Sequence, residues 1–225
     1  MEKKGIVKYN QYNSPTKKGK GIKVLIQNRI IHFTLISIIT GIVRTTAVFW
    51  MPTYFAQYLG YSTEQATSIY TIATFVLSLT TFVAVFLYER LNRNMDLTIL
   101  VVFVLSTIFF LLTYFVKMPL LNIVFMVLAI LTSTCATAMM WSRYCPGLRD
   151  TGMVSTATGF LDFVSYMAAA ASSTLFANAV TKIGWGNLIL VWTSLVMFGV
   201  IILSQACVII IKSHISKDCR ETCSG

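Results

Sequence analysis

Arg44 is the residue whose type and position most constrain the chemistry. It lies near the middle of an apolar run from about Ile30 to Tyr58, where an arginine costs at least ~2.5 kcal/mol to insert into a bilayer. Ser37, Thr40, Gly41 and Arg44 recur at i, i+3, i+4 and i+7, a spacing that puts them on one helix face. A guanidinium stays charged and presents a fork of donors matched to carboxylate or phosphate oxygens. Arg44 is therefore a candidate ligand for a small anionic substrate, with Ser37 and Thr40 beside it. An intramembrane ion pair is the competing arrangement. Asp162 is the only acidic residue well inside another apolar run. Counted from the flanking charges at Arg29 and Asp150, the two side chains lie at depths of roughly 22 and 18 Å. That places Asp162 within reach of a long arginine side chain, as a coupling residue or a partner that releases Arg44 when substrate binds.

Other chemistries find no residues to carry them. The apolar runs contain no Ser/His arrangement, no paired Asp and no His/Glu metal set, and His32 and His214 fall at a run's edge and in the C-terminal tail. Catalysis is not expected, nor is a cofactor. Of the five cysteines, Cys135 and Cys207 fall within apolar runs, Cys145 at an expected cytoplasmic helix end and Cys219 and Cys223 in the expected cytoplasmic tail, an odd set in a reducing compartment that reads as free thiols. Cys219 and Cys223 could form only half a zinc site.

The elements that position Arg44 follow from composition. The chain has 225 residues, of which 56% are hydrophobic and only 12% charged, with a mean hydropathy of +0.73. Soluble domains run closer to about 45–50% apolar and about 25% charged, so a soluble enzyme is excluded. About 20 apolar residues cross a hydrocarbon core, and six stretches qualify: about 30–58, 66–88, 97–116, 120–142, 155–180 and 188–211. Each must be helical, because a lipid-exposed backbone cannot leave its N–H and C=O groups unpaired. The runs are continuously apolar and do not alternate as barrel strands do. An all-α integral membrane protein is predicted, with a six-helix bundle over 30–211 between a basic tail at 1–29 and a short tail at 212–225.

Charge sets the orientation. Eight of the 18 Lys and Arg precede Ile30, and Arg90, Arg93, Arg143, Arg149, Lys212, Lys217 and Arg220 fall in connections on the same side. Only Lys117 and Lys182 occupy the opposite connections. The positive-inside rule then puts both termini in the cytoplasm of a multi-pass cell-membrane protein. Because the basic residues flank apolar runs and form no patch on a folded surface, a nucleic-acid partner is not expected. No secretory signal is expected in the polar first 29 residues, which leaves insertion to the first span. The tail can also rest on anionic headgroups.

Polarity ranks the spans. The third and sixth are nearly free of polar residues and are expected to face lipid, whereas the first, second, fourth and fifth are expected to enclose the interior. Ala168 to Ala171, Ser172 and Ser173 give the fifth span a small-residue surface for close packing.

The run Arg44-Thr-Thr-Ala-Val-Phe-Trp50-Met-Pro52-Thr53-Tyr54-Phe55 resembles the seventh transmembrane helix of the organophosphate:phosphate antiporters, the glycerol-3-phosphate and hexose-phosphate branch of the major facilitator superfamily. Thr151-Gly152, Thr156-Ala157-Thr158-Gly159-Phe160, Tyr166 and Gly184-Trp185-Gly186 resemble that family's eleventh helix. The resemblance spans about residues 30–211 and implies helices seven to twelve, the C-terminal half of a major facilitator fold. It implies that Arg44 is one of two arginines that bind substrate phosphate and that Tyr166 lines the same site. The charged loop at Leu87, Glu89, Arg90 and Arg93 lacks the superfamily's glycine-rich start, and Asp162 departs from the antiporters' pattern. Alternating access needs two bundles, so the expected partner is an N-terminal half-transporter or a second copy in a homodimer, within the lipid bilayer. The expectation is transport of a small organic anion such as glycerol 3-phosphate or a sugar phosphate. The alternatives are a non-transporting fragment or assembly subunit, and a proton-coupled transporter of another small anion.

Overall fold

A computed structural model describes residues 21–222, with side chains described over 23–205. The basic residues before Gly21, and the side chains of Cys207, His214, Cys219 and Cys223, lie outside that range. The described residues are helical throughout apart from short connections, with no strand among them. Among the described residues five helices are long and apolar enough to cross a membrane: Ile30–Gln57, Thr63–Arg90, Met95–Phe115, Pro119–Gly147 and Val154–Gln205. The protein is an all-α membrane protein.

The described residues start with a short helix α1 (Gly21–Gln27), within the stretch expected to be a tail. Arg29, at φ 63°, breaks it from α2 (Ile30–Gln57). The Arg29 guanidinium then pairs at 2.9 Å with Asp96, in the first turn of the third membrane helix. This marks a charged boundary at one end of the bundle.

The second membrane helix starts three residues before its expected boundary. Ser62 and Gln65 form a capping box that satisfies the first-turn N–H groups of α3 (Thr63–Ser78). At Leu79 (φ −78°, ψ 0°) the helix is interrupted, and it resumes as α4 (Thr80–Arg90). Asn94 caps α5 (Met95–Phe115), accepting a hydrogen bond from the Leu97 N–H. Pro119, in the first turn where a missing N–H costs nothing, opens α6 (Pro119–Met139). A π-helical turn at Met140–Tyr144 and the short α7 (Cys145–Gly147) continue α6.

The last helix, α8 (Val154–Thr222), covers two of the expected spans and runs on through the expected C-terminal tail. It turns back at one residue. Gly184 has φ 75° and ψ 168°, a region open essentially to glycine alone. Phe176 stacks on Trp192 with ring centroids 5.8 Å apart, so residues equally far from Gly184 on either side meet. Where a loop was expected between 180 and 188, the helix runs up to Gly184 and resumes immediately after it.

Packing reorders the polarity ranking. In the most apolar window of each helix, 67% of the fourth membrane helix is buried and 50% of α2, but only 11% of the second. The second was expected to enclose the interior and is instead the most exposed. Its hydroxyls explain why polarity misleads there: Thr67, Ser68, Thr71, Thr74 and Ser78 each donate to a carbonyl three or four residues back in α3. A threonine or serine satisfied by its own backbone needs no neighbouring helix. The third, expected at the lipid face, buries Val102, Phe103, Ser106 and Phe110. In the sixth expected span Trp192 is fully buried and donates from Nε1 to Thr46 Oγ1 at 2.9 Å.

Candidate functional site

Two contacts fix the register of α2 against the first part of α8. Ser37 Oγ donates to the Leu161 carbonyl at 2.9 Å. A Cβ at Gly41 would fall 2.8 Å from the carbonyl oxygen of Ser165 and 3.2 Å from its Cα, so only glycine lets the two backbones come this close. Both contacts have the same sequence offset, and the two helices therefore run parallel. Position 44 is then level with Ala168, and Asp162 is level with Ile38.

That register separates the two charges more than the sequence depths implied. Arg44 sits about 9 Å farther along the bundle axis than Asp162. No ion pair forms between them, and neither has a charged partner among the described residues. Counting from the flanking residues overstates the depth of Asp162 because Asp150 itself lies in a 3₁₀ turn at Arg149–Thr151, followed by a left-handed Gly152 before α8 begins, so not every residue between Asp150 and Asp162 rises along the axis.

Arg44 lines a cleft of about 600 Å³. Thr45, Val48 and Phe49 of α2 share its wall, α3 contributes Tyr70, Thr74 and Leu77, and α4 contributes Thr80 and Thr81. From α6 come Ile130, Thr134, Thr137 and Ala138, and from the π-helical turn after it Trp141. Arg44 is half-buried here. The floor is tied by the hydroxyls of Thr80 and Thr134, 3.3 Å apart, where the break at Leu79 brings the start of α4 against α6. Thr137 Oγ1 is buried with no hydrogen-bond partner. A guanidinium with unfilled donors, a ring of hydroxyls and one unsatisfied hydroxyl make a polar recess among apolar helices. An anion entering it would meet donors from Arg44 and the Thr137 hydroxyl, in surroundings where such contacts are strong, whereas Thr74, Thr80 and Thr134 already donate to carbonyls three or four residues back.

The other sequence candidates lie elsewhere. Ser37 and Thr40 are buried, Ser37 on α8 and Thr40 bonded to the Ile36 carbonyl at 2.9 Å within its own helix. They share Arg44's helix but line no part of its cleft, because at their level the face is covered by α8. Tyr166 is 58% exposed and is not among the cleft residues. Asp162 is exposed on the same part of α8.

Sequence reasoning missed Tyr70, Thr80 and Trp141. A signal for them exists: Tyr70, Thr74 and Thr81 recur at i, i+4 and i+11, and Thr134, Thr137, Ala138 and Trp141 at i, i+3, i+4 and i+7, each set on one face.

The run from Arg44 to Phe55 has structural duties beyond Arg44. Tyr54 is fully buried and donates to Asn122 Oδ1 at 2.6 Å. Trp50 and Tyr54 both pack edge-on against Trp185, at 6.3 and 5.4 Å. These contacts bind the far end of α2 to the residues just after the turn at Gly184. No protein-family model matches the chain, and no curated protein matches it.

Proposed function

We propose that the protein is a membrane transporter for a small organic anion, an organophosphate such as glycerol 3-phosphate or a sugar phosphate. The observation that carries this reading is Arg44: a permanently charged side chain, about 22 Å from the level of Arg29, lining a hydroxyl-walled cleft with no acidic partner among the described residues. An unneutralised arginine at that depth is costly, and a bound anion offsets the cost. The resemblance of residues 44–55 to the antiporters' phosphate-binding helix supports the same choice of ligand. In this reading α8 makes two crossings joined at Gly184, which gives six in all, the count of one major facilitator half-bundle. Alternating access then comes from this bundle working against a second, on this chain or another, with both termini cytoplasmic.

Reconstitution tests it. Proteoliposomes holding the chain alone, or with a candidate second bundle, are assayed for uptake of glycerol 3-phosphate, glucose 6-phosphate and inorganic phosphate. Arg44→Lys keeps the charge but removes the bidentate fork, so substrate affinity should fall by about tenfold or more. Unchanged uptake and affinity in correctly folded Arg44→Lys protein would refute the assignment.

A further inference from the structure

Asp162 is a second charge without a counter-charge among the described residues, and the proposed transport leaves it without a role. Its level is that of Ile38, nine residues beyond the Arg29–Asp96 ion pair that marks the charged boundary. It therefore lies about 13 Å inside that boundary. The carboxylate is exposed and has no cation within reach: Arg44 is about 9 Å farther along the axis, and the described bundle holds no other basic residue at this level. Ser155, Gly159, Asp162, Tyr166 and Ala170 follow at helical spacing and are all exposed, and a Cβ at Gly159 would meet nothing within 4 Å. Along one side of α8 this gives a strip that another helix can approach closely at Ser155, Gly159 and Ala170, with the Tyr166 ring and one negative charge between them. Beside it Phe163 and Met167 are exposed apolar side chains suited to lipid.

We infer that this strip docks a membrane-spanning helix carrying a lysine or arginine at the level of Asp162. Charge selects the occupant. Lipid tails offer nothing to a carboxylate, and intramembrane acids are stable only against a counter-charge or in water. A second parallel copy of this bundle would place its own Arg44 at the same 9 Å offset, so self-association does not supply the cation. The inference rests on the reading that a second bundle faces this one, and it adds the charge and depth by which that bundle is recognised.

The experiment uses the full chain in liposomes with synthetic probe helices: a leucine-rich span with one lysine level with Ile38, the same span with the lysine two turns deeper, and the span without lysine. Association is read by energy transfer between labels on chain and probe. The matched lysine probe should bind about tenfold more tightly than either other probe, and Asp162→Asn should remove the difference. In the reversed pair, Asp162→Lys with a glutamate probe should restore it, which answers the objection that Asp162→Asn merely misfolds. Equal binding of all three probes overturns the inference, as does Asp162-dependent dimerisation of the chain alone. The Arg44 binding assay is independent of this measurement, so either reading can fail while the other stands.

Discussion

Arg44 was the one residue of the cleft legible from sequence, because a permanent charge inside an apolar run has few explanations. Its neighbours were not, since a hydroxyl in a helix is as well satisfied by the carbonyl a turn back as by a ligand. Thr40 and Thr74 look alike in sequence; only packing shows that α8 covers the level of Thr40 while the cleft opens at Thr74. Glycine carries a similar ambiguity, and here it yields a prediction. At Gly41 an added methyl meets the Ser165 backbone, whereas at Gly159 it meets nothing within 4 Å. Gly41→Ala should therefore destabilise the protein by about 1–3 kcal/mol through overpacking. Gly159→Ala, in an exposed helix interior, should be neutral or stabilising by up to ~1 kcal/mol. Thermal unfolding of both variants in the same detergent compares them, and equal losses would contradict the parallel, close approach of α2 and α8.

Elements were legible as apolar stretches, with ends that shifted wherever a side chain caps a helix. The tight hairpin between α5 and α6 shows how one polar residue holds such an end. Asn122 is buried, accepts from Tyr54, and donates to the carbonyls of Thr113 and Val116 at 2.7 and 2.8 Å. It thereby satisfies two C-terminal carbonyls that α5 cannot pair internally. Asn122→Ala should cost about 2–4 kcal/mol, more than Tyr54→Phe at about 1–2 kcal/mol, because it leaves three groups unpaired instead of one. Denaturation of both single variants and the double variant checks this: the double should cost little more than Asn122→Ala alone. The turn in α8 was located from sequence only as a gap between apolar runs. It is one residue wide because glycine alone tolerates φ 75° with ψ 168°. Gly184→Ala should accordingly destabilise by about 1–3 kcal/mol. Gly186→Ala, whose Cβ would sit 3.9 Å from the Tyr114 ring, serves as the near-neutral control, with unfolding followed by fluorescence of Trp185.

At the scale of the whole molecule, class was readable from composition, whereas the number of crossings depends on whether Gly184 reverses the chain. The contacts on either side answer in one direction. Trp185 lies against Tyr54 and donates to Gln57 at 3.3 Å, while seven residues later Trp192 reaches back to Thr46. After Gly184 the chain therefore descends along α2, although before it α8 rose parallel to α2 from Leu161. Lys182 and Lys117 should then emerge on one side of the membrane, and Arg90 on the other, with the basic flanks. Single cysteines at these three exposed positions, in a background whose native cysteines are replaced by alanine, can be labelled in intact cells with a membrane-impermeant maleimide. Lys117→Cys and Lys182→Cys should label from outside, and Arg90→Cys only after permeabilisation. Labelling of Lys182→Cys from the same side as Arg90→Cys would mean that 154–183 does not complete a crossing. The strip around Asp162 would then no longer have the depth from which its chemistry was argued, whereas the depth of Arg44, counted along α2 from Arg29, would stand.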